Sequence, residues 1–137
     1  MLSKNITKLV KLAAVLALLS TASFGAMAEW TEVGEGTEMK AYADINTIRR
    51  SGHMVKMWSL FDLKSPNPSL NGTYSSARIR YEYDCSDERT RRLDYIAHSE
   101  RMTGGFVVTS DSTPGKWSSV SPGSFDETYF KIACGKK

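Results

Sequence analysis

Two cysteines, Cys85 and Cys134, lie far apart in a chain that begins with a segment typical of a secretory signal. Export delivers thiols to an oxidising compartment, where a lone pair is expected to join as a disulfide. On the chain-entropy model, closing a loop of about 50 residues stabilises a fold by roughly 4 kcal/mol. The alternatives are a metal site or a catalytic thiol, but there is no CxxC motif and the histidines lack zinc-ligand spacing. The pair therefore predicts a domain whose C-terminal end is tied to its middle.

The leader has the three parts of a cleavable signal peptide. Its basic region consists of Lys4, Lys8 and Lys11. The apolar run 12–19 (LAAVLALL) is shorter than the roughly 20 residues that span a bilayer, and Ala26-Met27-Ala28 supplies a cleavage pattern. We expect residues 1–28 to be a cleaved signal peptide and residues 29–137 to form one domain without a transmembrane span. An uncleaved N-terminal anchor is the alternative.

The position of the first cysteine also bears on the location of the protein. Lipid attachment requires a cysteine at the cleavage point, and none occurs before Cys85. We therefore expect a protein that is exported to the periplasm, secreted or held at the cell surface, and not lipid-anchored.

The charge balance argues against nucleic acid as a partner. The whole chain has 18 Lys and Arg against 15 Asp and Glu, but the three lysines of the leader account for the whole excess. Residues 29–137 are therefore formally neutral. A protein that binds phosphate backbones needs a net basic surface, so no nucleic-acid partner is expected.

Alternation of apolar and polar residues predicts an α+β domain with about six antiparallel strands. The expected strands are residues 30–33, 37–43, 54–63, 75–84, 89–98 and 106–109. Asp44 is a favourable N-cap for a short helical turn through Ile48. Residues 65–72, rich in proline and asparagine, are expected to form a long loop.

A C-terminal helix is predicted from a capping box. Ser124 and Glu127 have the S-x-x-E spacing, and the apolar residues that follow recur at helical intervals. These apolar residues are Phe125, Tyr129, Ile132 and Ala133. Cys134 falls in the last turn, so the expected disulfide would clamp this helix to the sheet.

The candidate binding residues are mainly arginines. Six of them concentrate in a short span: Arg78, Arg80, Arg89, Arg91, Arg92 and Arg101. If strands 75–84 and 89–98 pair, Arg78, Arg80 and Arg92 are expected to share a sheet face that could bind sulfated polysaccharide or an acidic protein. Lys64, at the start of the expected loop, is a fourth candidate. The alternative is cross-strand salt bridging on a solvated face.

No catalytic constellation, metal site or cofactor site is predicted. His53 and His98 are the only imidazoles, and no G-x-S-x-G motif accompanies them. Asp84, Asp87 and Glu88 cluster beside arginines, where surface ion pairs are the simpler expectation. The chain is not expected to be an enzyme. A hydrolase would need one of the histidines beside a serine or carboxylate in a cleft.

The order of several residues resembles the surface-adhesin protein E domain. The likeness begins with the run Tyr42-Ala43-Asp44-Ile45-Asn46-Thr47-Ile48, then Gly52 and Trp58. It continues through Tyr83-Asp84-Cys85, the arginine-rich strand, Tyr95, Met102, Gly104-Gly105, Trp117, Pro122, Ser124 and Cys134. The resemblance implies an antiparallel sheet with a C-terminal helix held by the disulfide.

The same resemblance implies a function. The family takes its name from a bacterial outer-membrane lipoprotein that binds host matrix proteins such as laminin and vitronectin. A non-enzymatic, exported binding protein is therefore expected, with a matrix protein or sulfated polysaccharide as partner. The alternative is a periplasmic small-ligand-binding protein or envelope accessory protein that uses an apolar pocket between sheet and helix.

Overall fold

The computed structural model describes residues 28–135, so the predicted signal peptide lies outside the described residues. Six strands form an antiparallel meander in which each strand pairs with the next along the chain. A short seventh strand pairs with the fifth. The strands are β1 (Thr31–Glu35), β2 (Met39–Ser51), β3 (Met54–Ser69), β4 (Gly72–Asp84), β5 (Arg89–His98), β6 (Val107–Asp111) and β7 (Ser118–Ser119). The predicted antiparallel sheet is thus confirmed.

One helix, α1 (Phe125–Cys134), follows the sheet. The hydroxyl of its N-cap Ser124 accepts a hydrogen bond from the amide of Glu127 at 3.3 Å. Asp126 and Glu127 place negative charge in the first turn, where the helix dipole favours it. Gly135 follows the last turn with φ of 76°, a conformation that glycine adopts easily. The helix predicted from the capping box is confirmed.

The hydrophobic core lies between α1 and one face of the sheet, which we call the helix face. The fully buried core residues of this face are Ala41, Ala43, Val55, Met57 and Tyr83, and α1 contributes Tyr129 and Ala133. The predicted disulfide between Cys85 and Cys134 is present beside this core and fastens the end of α1 to the residue after β4. The opposite face of the sheet, which carries Trp58, Arg78 and Arg80, is called the outer face.

The short helical turn predicted at residues 44–48 is wrong. β2 runs through this segment, and its pairing with β3 jumps from Asp44 opposite Trp58 to Arg49 opposite Lys56. The extra residues form a bulge that side chains stabilise locally. Asp44 accepts a hydrogen bond from the amide of Asn46 at 3.1 Å, and the Thr47 hydroxyl accepts one from the amide of Trp58 at 3.0 Å. These bonds replace the helical ladder that the N-cap residue suggested.

The long loop predicted at residues 65–72 is also wrong, because β3 and β4 continue as a two-stranded arm. Their pairing runs to Ser69 opposite Gly72, which leaves a two-residue turn. β2 pairs with β3 only as far as Leu63, so the arm has no neighbouring strand on that side. Pro66 and Pro68 therefore occupy edge positions, where a missing N–H costs no ladder bond.

Candidate functional site

A one-residue bulge decides which arginines share the outer face. Arg80 pairs with Asp94, but the next residue of β4, Tyr81, pairs with Arg92. Leu93 is thus an extra residue in β5, and side chains on either side of it change faces. Arg92 lies on the helix face, where it bonds Asp111 at 3.2 Å. The prediction that Arg92 shares a face with Arg78 and Arg80 is therefore wrong.

Most of the clustered arginines are neutralised by carboxylates. The ion pairs are Arg80–Asp94 at 2.6 Å, Arg89–Asp84 at 3.0 Å, Arg91–Glu82 at 2.7 Å and Arg101–Asp62 at 2.6 Å. Lys64, the candidate from the arm, is likewise 2.7 Å from Glu35. For these residues the structure favours salt bridging over a broad cationic surface.

Arg78 differs from its neighbours. No carboxylate lies within 4 Å of it among residues 28–135, and its buried Nε has no hydrogen-bond partner there. Its guanidinium carbon lies 5.5 Å from the centroid of the Trp58 ring, while that of Arg80 lies 5.8 Å away. Both distances are within the range of cation–π attraction. Arg78 thus retains an uncompensated positive charge beside an aromatic ring.

Arg78 and Trp58 line a groove on the outer face, which we call the Trp58 groove. Its volume is about 370 Å³. The lining residues are Trp30, Asp44, Asn46, Thr47, Arg49, Trp58, Arg78 and Ala28, the last of which the expected signal cleavage would remove. The guanidinium of Arg49 donates to the carbonyls of Asn46 and Ile48, each at 2.9 Å, and so it also keeps its charge. The groove therefore combines two indoles, two guanidinium groups and one buried carboxylate.

Of the residues that line this groove, sequence reasoning singled out only Arg78 as a binding candidate and missed Trp30, Trp58 and Arg49. Trp30 precedes β1, and Arg49 reaches the groove only because the bulge in β2 places it opposite Lys56. Trp117 was also missed as a partner of the arginines. Its ring lies 4.8 Å from the guanidinium carbon of Arg89 and 4.6 Å from that of Arg91, and covers this end of the outer face.

Neither histidine side chain is hydrogen-bonded to a serine, threonine or cysteine side chain among residues 28–135. His53 is exposed, and its Nε2 lies 4.0 Å from Asp84. Burial alone would raise the pKa of the Asp84 carboxyl. Hydrogen bonds from the amides of Asp87 and Ser86 and from Arg89 outweigh this effect and hold its pKa below the usual value. Asp84 is thus a structural carboxylate at the turn between β4 and β5.

Among residues 28–135, no cluster of three or more histidines, cysteines or acidic residues is placed to hold a metal ion. No helix in that range is long and apolar enough to cross a bilayer.

A second cavity, of about 450 Å³, lies beside the disulfide. Cys85, Cys134, Phe130 and Val120 form its apolar part, while Glu88 stands among the polar residues that line it. It lies between α1 and the turn that joins β4 to β5, at one end of the sheet. The core side chains of α1 and the helix face pack against one another.

His98 is expected to make the fold sensitive to mild acid. Its side chain is buried, and burial, followed by the charge of Arg78, lowers its pKa below 6.5. The unfolded chain therefore binds a proton more readily, so the free energy of unfolding should fall as the pH drops below about 6.5. Urea unfolding measures this effect between about pH 7.5 and about pH 5, a range that brackets the usual pKa of histidine.

The matched control is the exposed His53. His98→Gln should remove the part of the decline that lies below pH 6.5, while His53→Gln should leave it in place. An unchanged decline in His98→Gln would assign the acid sensitivity to other groups.

Known proteins share both the sequence pattern and the fold of this chain. The model of the family described as surface-adhesin protein E matches residues 30–135. Among the curated proteins compared with the chain, none matches it. Crystal form II of Haemophilus influenzae protein E superposes with a TM-score of 0.62 at 13% identity, over 80% of this chain and 89% of that one.

Two further solved structures agree. The selenomethionine form of H. influenzae protein E gives a TM-score of 0.61 at 12% identity, over 80% of this chain and 88% of that one. Protein E from non-typeable H. influenzae gives a TM-score of 0.56 at 12% identity, over 80% of this chain and 79% of that one. At such low identity these likenesses describe the fold alone, whereas the family model spans most of the sequence. The chain therefore belongs to the surface-adhesin protein E family.

Proposed function

We propose that this protein is an exported, non-enzymatic, adhesin-like protein that binds an acidic matrix glycoprotein through the outer face of its sheet. Membership of the surface-adhesin family supports the adhesin-like role. The signal-like leader at residues 1–28 and the Cys85–Cys134 disulfide support export, because disulfides persist in oxidising compartments. The proposed location is the cell surface.

The observation that carries the choice of surface is the pair of uncompensated cations in the Trp58 groove. Arg80, Arg91 and Arg101 already hold carboxylates, so a new anion would have to displace an existing ion pair. Arg78 and Arg49 face no such competition. Guanidinium groups bind carboxylates and sulfates through charge-assisted hydrogen bonds that are roughly twice as strong as neutral ones.

Binding to immobilised laminin and vitronectin, with heparin alongside, tests the proposal. Arg78→Gln combined with Arg49→Gln should weaken binding by about tenfold or more, since one lost charged hydrogen bond is worth about 1.5–3 kcal/mol. The interaction should also weaken as salt is raised, because charge attraction is screened.

The control is Arg92→Gln, which removes one positive charge from the helix face, where Arg92 pairs with Asp111, and Arg78→Gln alone is its charge-matched counterpart in the groove. Arg92→Gln should leave binding within about twofold of the native affinity. Equal losses in the groove and control variants would contradict the choice of surface. Binding to heparin alone would replace the glycoprotein partner with a sulfated polysaccharide, and no binding at micromolar protein would overturn the proposal.

Surface display has its own measurement. Protease treatment of intact cells, followed by fractionation, should degrade the protein together with known surface proteins. Protection until the outer membrane is opened would instead place it in the periplasm and favour the small-ligand alternative.

A further inference from the structure

We propose that the Trp58 groove binds one acidic sugar, a pyranose ring that bears a carboxylate or a sulfate. This inference rests on the proposed function and deepens it, because it names the chemical unit of the partner that enters the outer face. Four features of the groove carry it: its size, its indoles, its acceptor carboxylate and its free guanidinium groups.

The size of the groove fits a single small ring. At about 370 Å³ it lies near the lower end of the range for small-molecule sites. It is open on one side, on the outer face, so a terminal or branching sugar of a larger glycan could enter while the rest stays in solvent.

The indoles provide the surface that a sugar ring needs. One face of a pyranose carries C–H groups and packs against a flat aromatic ring. Trp58 and Trp30 both line the groove, and both are only partly buried. The guanidinium groups of Arg78 and Arg80 lie over the Trp58 ring and hold its orientation through cation–π contacts, so a sugar would pack on the part of the indole that they leave uncovered. A ligand would therefore meet a pre-oriented ring.

The carboxylate of Asp44 supplies hydrogen-bond acceptors for hydroxyl groups. Its Oδ1 accepts from the amide of Asn46 at 3.1 Å, and its Oδ2 accepts from the backbone nitrogen of Glu29 at 3.2 Å, which becomes the N-terminal amino group after the expected signal cleavage. Each carboxylate oxygen can accept more than one hydrogen bond, so both retain capacity. Thr47 differs, because its hydroxyl already donates to the Asp44 carbonyl and accepts from Trp58. A carboxylate in a groove with two cations suits a ligand with both hydroxyl and acidic groups better than a bare anion.

The guanidinium groups select the acid. Arg78 has an uncompensated charge and a buried Nε without a partner among the described residues. A planar guanidinium forms paired hydrogen bonds to carboxylate and sulfate oxygens. Burial, followed by the charge of Arg78, lowers the pKa of the neighbouring His98. Arg49 lines the same groove and offers a second site for the acid.

Tryptophan fluorescence and saturation-transfer NMR with the secreted protein test this inference. The probes are glucuronate and glucose 6-sulfate, with glucose as the neutral sugar and free sulfate and acetate as bare anions. We expect dissociation constants in the millimolar range for the two acidic sugars, and binding at least about tenfold weaker for glucose and the bare anions. The ratio between glucuronate and the sulfated sugar distinguishes the carboxylate from the sulfate source.

Variants locate the site. Arg78→Gln should reduce the affinity for acidic sugars by about tenfold and leave the weak affinity for glucose unchanged. Trp30→Ala should reduce the affinity for acidic sugars and the affinity for glucose, since it removes one of the two indoles. Arg92→Gln on the helix face should change neither. Thermal unfolding of each variant confirms that it is folded before binding is compared.

The outcomes separate this inference from the proposed function. One outcome is that the protein binds matrix proteins, that Arg78→Gln weakens this binding, and that neither acidic sugar binds. The sugar inference is then overturned and the proposed function stands. Glucose binding as tightly as glucuronate would also overturn the inference, because the guanidinium groups would then not select the ligand. Acidic sugars that bind equally well to Arg78→Gln would place the site elsewhere and overturn it too. If neither sugars nor matrix proteins bind, both proposals fall.

Discussion

Replacement of both cysteines, Cys85→Ala with Cys134→Ala, is expected to lower the free energy of unfolding by about 4 kcal/mol. The disulfide joins residues 49 positions apart, so its removal returns a large conformational freedom to the unfolded chain. The loss is severe because small domains are usually stable by only about 5–15 kcal/mol in total. Urea unfolding of the oxidised native protein and of the double variant measures it.

The reduced native protein is the control for the cavity that the two alanines leave. It should lose nearly the same stability as the double variant, since both lack the cross-link. Hydrogen exchange should rise first in α1, which the disulfide fastens to the end of β4, and less in the central strand β3. A loss below about 1 kcal/mol would contradict the prediction, because contacts other than the cross-link would then hold the helix on the sheet.

Patterns that act over a few residues predicted the elements of this fold well. The alternation in residues 75–84 and 89–98 corresponds to β4 and β5, and the second of these spans is reproduced to the residue. The box formed by Ser124 and Glu127 marked the beginning of α1. These signals succeed because strand alternation and helix capping are local properties of the chain.

The face of Arg92 could not be predicted, because it depends on one irregularity in the ladder. In a regular strand, every second side chain lies on the same face of the sheet. The extra residue Leu93 breaks this alternation, so the residues before it in β5 lie on the faces opposite to those expected. Arg91 therefore joins the outer face in place of Arg92. No propensity in the segment Arg91-Arg92-Leu93 indicates a bulge, since it would pair equally well as a regular strand.

The Trp58 groove escaped prediction for a related reason. Its members come from the segment before β1, from the bulge of β2 and from the strands β3 and β4. Only the register of three strand pairs brings Trp30, Arg49 and Arg78 together. The sequence did single out Arg78 as a candidate, but it did not distinguish Arg78 from Arg80, whose charge Asp94 neutralises. That distinction needs the partner across the strand.

The arm formed by the ends of β3 and β4 shows how sheet context changes the meaning of proline. Pro66 and Pro68 suggested a loop, since proline breaks a central strand. Beyond Leu63, however, β3 has lost β2 as a neighbour, so only one of its edges needs backbone donors. The number of neighbouring strands is a tertiary property, and local composition does not report it.

Tyr129→Ala is expected to lower the free energy of unfolding by about 4 kcal/mol, because it empties the centre of the contact between α1 and the helix face. The Tyr129 ring lies edge-on to Phe61 with centroids 6.0 Å apart, and its hydroxyl donates to the Tyr42 carbonyl at 3.0 Å.

Tyr129→Phe separates these two contributions, since it keeps the ring and removes only the hydrogen bond. Tyr129→Phe is expected to lower the free energy of unfolding by about 1 kcal/mol. Chemical unfolding of both variants measures the difference, and equal losses would mean that the hydrogen bond, not packing, holds the helix. Because the Trp58 groove lies on the opposite face of the sheet, Tyr129→Phe should bind the acidic partner as the native protein does. A binding defect in that folded variant would show that the two faces are coupled through the single layer of strands between them.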